Sequence, residues 1–372
     1  VAILRNPLGE LVLGHTSNRD PAAMAVVLLV ADQPQQGLDL VNAQQQLAAS
    51  GLVVLDLNGE SSHLLEGRDP QGGSLRWEAF VAQEHAAALW PDLEGPLRPW
   101  AAMLGLSIDS PTPPWLVPGL EDLQRVLWLA DRLAAATADP EVQMVTVLLP
   151  PLAQALPLLR LAQRAPELIL SLWDPLLNWW SETRQRLSHL ELVLRLQLPS
   201  AESLRPPTPW LERCRLLADR LNDEQRLDVV LALSGDADTW PLQRRRLAAL
   251  PLSGYPLHRL WIQGQGWSTP LLEGWSPPLL LGDSSWADRQ DPLVTLLAQQ
   301  APSIPLTHWE DQLCRVFAPG VGREDLRVQQ QKDALVISAL GQRRIIPLPE
   351  ACRQREPASA RVSAPFVEVV FR

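Results

Sequence analysis

The stretch FAPGVGREDLRVQQQKDALVIS, Phe317 to Ser338, decides how this chain is read. Pro319-Gly320 makes a turn, and Glu324-Asp325 form a solvated acidic pair. The runs LRVQQ and ALVIS alternate apolar and polar residues, as half-buried strands do. The same period of two recurs in LCRVF, in RRIIPLP and in FVEVVF, with turn residues between them. The pattern predicts a small all-β sandwich over residues 308–372, with Val336 and Ile337 both turned into its core.

Upstream of this stretch the period changes. MAVVLLVAD (24–32) is a short apolar, β-branched run that suits a strand buried on both faces. QPQQG follows, then LDLVNAQQQLAASG, in which Leu40, Val41, Leu47 and Ala48 recur at helical spacing up to Gly51. LVVLDLNG (52–59) is a second buried strand, which completes a βαβ unit and calls for a parallel sheet. RVLWLADRLAAA (125–136) reads as a helix and MVTVLLP (144–150) as a third strand. LDVVLALSGD (227–236) and HRLWIQG (258–264) are the fourth and fifth, separated by the arginine-rich helix WPLQRRRLAAL.

The fold class is therefore α/β: a parallel-sheet core over residues 24–300 with helices on both faces and a helical insert at about 152–222. Pro-rich breaks such as SPTPPW and RPPTPW end helices and route the chain between them. APSIP opens a linker over 301–307, and the β domain follows it. Residues 1–23 form an N-terminal extension with two readings: a disordered segment or artefact of gene-start choice, or a hairpin turning at Pro7-Gly9.

With 46% hydrophobic and 20% charged residues, the composition is that of a soluble globular protein with a substantial core. A net charge of −10 argues against non-specific nucleic-acid binding, since a polyanion would be repelled. Cys214, Cys314 and Cys352 are far apart and form no CxxC pair, so a reducing cytoplasm is the expected compartment. No uncharged run is long enough to span a membrane, and VAILRNPLGE does not read as a signal peptide. Lys332 is the sole lysine, which leaves no lysine for a phosphate anywhere upstream.

Isolated constellations add little. His15, His63, His85, His189, His258 and His308 show neither i, i+4 pairing nor a nearby ligand cluster, so no metal site is expected. QGQGW (263–267) is too short for a dinucleotide loop, and GESSHLLEG lacks a GxSxG motif. QRRR (243–246) reads as a solvated helix face. Trp173, Trp179 and Trp180 lie in an apolar helical stretch and are expected to pack in a core with Leu168, Ile169, Leu172, Leu176 and Leu177.

Phe317, Pro319-Gly320-Val321, Glu324-Asp325-Leu326, Val328 and Leu335-Val336-Ile337 together resemble a small heat-shock protein (α-crystallin) domain. Such a domain behind an α/β half is similar to one arrangement in the arsenite-transporting ATPase (ArsA) family, which includes the ATPase that delivers tail-anchored membrane proteins. QRRIIPLPEA (342–351) matches that family's β-domain pattern. The resemblance implies a P-loop fold of the deviant class, working as a homodimer with Mg-ATP at the interface. It also implies that the helical insert carries a groove for a hydrophobic client helix.

The residues at the implied active positions depart from the family. Its phosphate loop falls on ADQPQQGLD, where Asp32, Gln33, Pro34, Gln35, Gln36 and Gly37 hold neither a Gly-Lys-Thr nor any lysine. Asp32 and Asp39 would set negative charge beside phosphates, each close pair costing about 1–4 kcal/mol. The water-activating aspartate after the second strand falls near Asn58, with Asp56 two residues earlier. In VLLPPLAQALPLLRL (147–161), Leu148 takes the magnesium-linked aspartate position, Gln154 the histidine position, and Pro151 is kept. The family's paired metalloid cysteines and zinc-binding CxxC have no counterpart. The expectation is a pseudoenzyme: an ArsA-like protein with no cofactor and no catalytic residue, acting as a protein-binding or chaperone-like module, dimeric or not. The rival expectation is an active ArsA-type ATPase with a rearranged Mg-ATP site.

Overall fold

A computed structural model of the chain describes residues 3–5, 11–13, 24–48, 51–59, 75–103, 121–194, 208–224, 226–267, 277–282, 291–300 and 304–372. Near the start, β1 (Ile3–Arg5) and β2 (Leu11–Leu13) pair antiparallel, Leu4 opposite Val12. The rest of the extension, with the turn expected at Pro7-Gly9, lies outside the described residues.

The α/β half is a seven-stranded parallel sheet with helices. Its strands are β3 (Ala25–Ala31), β4 (Leu52–Asp56), β5 (Leu75–Ala79), β6 (Met144–Leu149), β7 (Leu227–Ser234), β8 (Arg259–Gln263) and β9 (Leu279–Gly282), in the order β5-β4-β6-β3-β7-β8-β9. The continuous apolar run of β3 is buried on both faces, with Leu28, Leu29 and Val30 wholly inaccessible. The helices are α1 (Pro34–Leu47), α2 (Ala82–Met103), α3 (Glu121–Ala138), α4 (Leu152–Leu194), α5 (Thr208–Asn222), α6 (Trp240–Leu252) and α7 (Asp291–Ala298). Both β5 and β9, as well as α2 and α7, escape the sequence reading. β5 is half-exposed LRWEA, without an apolar run to mark it.

The contacts divide the chain into two compact units: Leu28–Asn222 with Ala232–Ser234, and Val1–Val27 with Asp223–Leu231 and Gly235–Arg372. In the first, the insert is one 43-residue helix, α4, with Pro157, Pro166 and Pro175 inside it, followed by α5. The tryptophans of α4 do not all enter a core. Trp180 is buried, but Trp179 is 58% exposed and Leu168 40% exposed. Adjacent helical residues point about 100° apart, so one face of the helix cannot take both indoles. The side chains of Trp173, Leu172 and Leu176 lie outside the described residues.

The second unit carries the β domain. β10 (Thr307–Glu310), β11 (Leu313–Phe317), β15 (Pro357–Ser363) and β16 (Phe366–Phe371) form one antiparallel sheet in the order β10-β11-β16-β15. β12 (Arg327–Gln331), β13 (Ala334–Ala339) and β14 (Gln342–Pro347) form the other. Ile337 belongs to the core between them, with Val316, Ile346 and Val369. Val336 does not, against expectation. Neighbours on a strand face opposite sides, and Val336 is buried on the outer face, opposite Gln329 and Ile345.

Candidate functional site

At the carboxyl end of β3 the chain turns into α1 almost at once, with only Asp32 and Gln33 between Ala31 and Pro34. Pro34, Gln35, Gln36 and Gly37 therefore stand in the first turn of α1, where a loop was expected. The local chemistry explains this. Pro34 is favoured where an N–H has no intrahelical partner, and Gln36 Oε1 accepts from Gln33 N at 3.2 Å, satisfying an orphan donor. Gln36 is 1% exposed, and its Nε2 donates to Leu233 O at 3.3 Å. Asp32 is tied to β7: its N donates to Ala232 O at 3.1 Å, and its Oδ2 accepts from Ser234 N at 2.9 Å. Gln35 donates to Asp39 Oδ1 at 2.8 Å.

Gly37 faces Leu148 at the end of β6. A Cβ on Gly37 would lie 2.6 Å from Leu148 Cδ1, so α1 approaches the sheet as closely as it does because residue 37 is a glycine. Leu148 is itself 3% exposed. Two turns further along α1, Gln44 Oε1 accepts from Thr146 Oγ1 at 2.8 Å in the interior. The space between α1 and β6 is occupied by a leucine side chain and a buried amide–hydroxyl pair.

Beyond β4, Asp56 is fully buried and its Oδ1 accepts from Asn58 N at 3.0 Å and Gly59 N at 3.1 Å. The carboxylate thus shapes the turn that presents Asn58. Phe80 N donates to Asp56 O at 2.8 Å, bringing the end of β5 alongside. Phe80 meets Trp128 and His85 edge-on, and Arg125 lies 5.6 Å above its ring. Burial, with the Arg132 charge adding to it, lowers the His85 pKa to about 4. Pro151 O accepts from Gln154 N and Ala155 N at the start of α4, where Gln154 is exposed.

In the other unit, the segment that follows β7 is stitched to the end of β8 in one loop cluster that motif reading passed over. Gly235 N donates to Gln263 O at 3.0 Å, and Asp236 Oδ1 accepts from Gln265 N at 2.7 Å. Trp267 Nε1 donates to Gly235 O at 2.7 Å and its ring meets Trp240 edge-on. The signal was QGQGW itself, whose Gly264 allows backbone-on-backbone contact rather than phosphate contact. Among the described residues, no group of three or more His, Cys, Asp or Glu is placed to hold a metal ion, and no helix is long and apolar enough to cross a membrane.

The arginine-rich run 243–246 is not simply a solvated face. Arg244 Nε donates to Gly320 O at 2.8 Å, and its guanidinium pairs with Asp325. The Pro319-Gly320 turn and the acidic pair are thus held by α6.

Residues 313–371 match the family model described as the HSP20-like domain found in ArsA. The C-terminal region is an HSP20-like domain of that kind, and the parallel sheet ahead of it fits a P-loop core. Among curated proteins, none matches the chain.

Proposed function

We propose that the chain is an ArsA-like protein whose α/β half does not bind or hydrolyse ATP, and that it works as a protein-binding, chaperone-like module. The observation that carries this reading is the contact between Gly37 and Leu148. A phosphate cradle needs a loop whose N–H groups converge on the ligand and a cation to meet its charge. Here the interval is taken up by the first turn of α1, Gln36 is spent on Gln33 and Leu233, and the buried Leu148 takes the position to which the resemblance gives a magnesium-linked aspartate.

The ligand class that fits better is another polypeptide. Trp179 and Leu168 on α4 are large apolar side chains left to solvent, in the region that the resemblance gives to a hydrophobic client. The HSP20-like domain is consistent with protein interaction or oligomerisation. Titration calorimetry of the full chain with Mg-ATP and with ADP tests the proposal. No binding tighter than millimolar and no turnover above background are expected. Tight Mg-ATP binding that is lost on substituting residues 33–37 would establish the rival, an ATPase with a rearranged site.

A further inference from the structure

The apolar core of the HSP20-like domain is not closed by its own two sheets. Ala248 and Leu252 of α6, both with no exposed surface, belong to the same buried cluster as Val316, Ile337, Ile346 and Val369. They are spaced four residues apart and four from Arg244, so the three side chains form one stripe along the helix. At the head of the stripe Arg244 reaches Gly320 O and Asp325, with Glu324 Oε1 at 3.6 Å. Gly320 has φ 74° and lies so close that a Cβ would meet Arg244 O at 3.3 Å. At the tail the traffic reverses. Arg344 of β14 sends Nη1 to Pro251 O at 2.8 Å, in the last turn of α6, where that carbonyl also accepts from Gly254 N at 3.1 Å. Its Nη2 donates to Thr307 Oγ1 at 2.9 Å.

We propose that α6 is the built-in occupant of the HSP20-like domain. The domain has a face that receives a helix presenting arginine, alanine and leucine at intervals of four, and the chain's own helix fills it. The domain is captive: it neither swings on its linker nor offers this face to an outside helix. A β sandwich of this size is marginal alone, and a helix that completes its core supplies the missing apolar area. Leu306 at the linker's end is wholly buried and its carbonyl accepts from Phe317 N at 3.0 Å, which fixes the approach to the domain as well. The proposal stands apart from the nucleotide reading and survives either outcome of the calorimetry.

Hydrogen exchange of the full chain in rising denaturant tests it without any substitution. The amides of α6 and those of β11, β13 and β14 are expected to open together, as one cooperative unit. Strands that stay protected after α6 has exchanged would overturn the proposal. Leu252→Ala is expected to raise exchange at least tenfold at Val316 and Ile337 as well as within α6. An effect confined to α6 and its neighbours β7 and β8 would overturn it equally. Should that variant not fold, Arg244→Gln keeps the apolar stripe intact. It is expected to raise exchange several-fold at Val321, and unchanged exchange there would again sink the idea.

Discussion

Leu148 and Gly37 fit together as knob and hole: a single methyl added to Gly37 would stand 2.6 Å from Leu148 Cδ1. The two residues lie at positions where the family resemblance implies a phosphate-loop glycine and a magnesium-linked aspartate. Here each has become the packing partner of the other.

That pairing predicts non-additive energetics. Gly37→Ala gains about 1 kcal/mol of helix propensity but overpacks a filled site at a cost of about 1–3 kcal/mol. Leu148→Ala alone leaves a cavity and costs about 2–4 kcal/mol. The double variant places the new methyl in the vacated space, so the pair should be less destabilising than the sum by at least about 0.5 kcal/mol. Denaturant unfolding of the four proteins measures this, and strict additivity would show that the two side chains do not meet.

Rebuilding the phosphate loop should fail. Glycines and a Gly-Lys-Thr introduced at 36–38 leave Leu148 and Asn58 in place and remove the Gln36 bonds to Gln33 and Leu233. The expected result is a less stable protein with no ATP turnover, read from a phosphate-release assay beside a melting curve.

The two faces of β13 should respond differently to truncation. Ile337→Ala empties a site in the sandwich core and is expected to cost about 3 kcal/mol. Val336→Ala acts on the outer face, where Gln329 and Ile345 can settle over the gap, and should cost about 1 kcal/mol. Equal losses would mean that the strand register is wrong.

Acid should weaken the fold in two stages. The His85 pKa is lowered in the folded chain, so its contribution is complete above about 6.5 and is lost as pH falls towards about 4. The loss is at most roughly 3 kcal/mol. Burial raises the Glu368 pKa, but hydrogen bonds from Arg361 and Arg315 and their charges outweigh it and hold the carboxyl below its ordinary value. Its share is therefore present above the ordinary glutamate range and lost only in stronger acid. His85→Gln should flatten stability between pH 6.5 and 4 and leave the lower stage unchanged.

The thiols should be silent in the native protein. Cys214, Cys314 and Cys352 are all buried, and burial pushes Cys214 up to about 11 and Cys314 up to about 12. A thiolate-seeking reagent is expected to label none of them until denaturant unfolds the chain. Prompt labelling at neutral pH would contradict the packing.

The parts legible in the sequence were those with one strong period. β3, β4, β6 and β7 are apolar runs buried on both sides, and β11, β12, β14 and β16 show the period of two, so pattern alone finds them. β9, β10 and β15 are short or largely exposed, and edge strands need only one row of hydrogen bonds and little apolar surface. The facing of Val336 was misread because ALVIS is apolar on both sides, which hides the alternation. At the candidate site, the residue substitutions could be read directly. That the interval folds into α1 could not, since it depends on Gln36 finding Leu233, nearly two hundred residues away.

The three prolines of α4 fall at 157, 166 and 175, at equal intervals. Each removes an N–H, crowds the carbonyl four residues before it, and tilts the helix axis away from itself. At about 100° per residue, nine residues amount to two and a half turns, so successive prolines lie on opposite sides of the helix. The second tilt undoes the first, and the third is left standing. Three prolines on one side would add their tilts and curl the rod into an arc. Alternating ones let it zigzag, with a net inclination of one tilt over roughly 65 Å. Moving the middle proline by two residues would bring it to the side of the other two, end that cancellation and bend the helix into a bow.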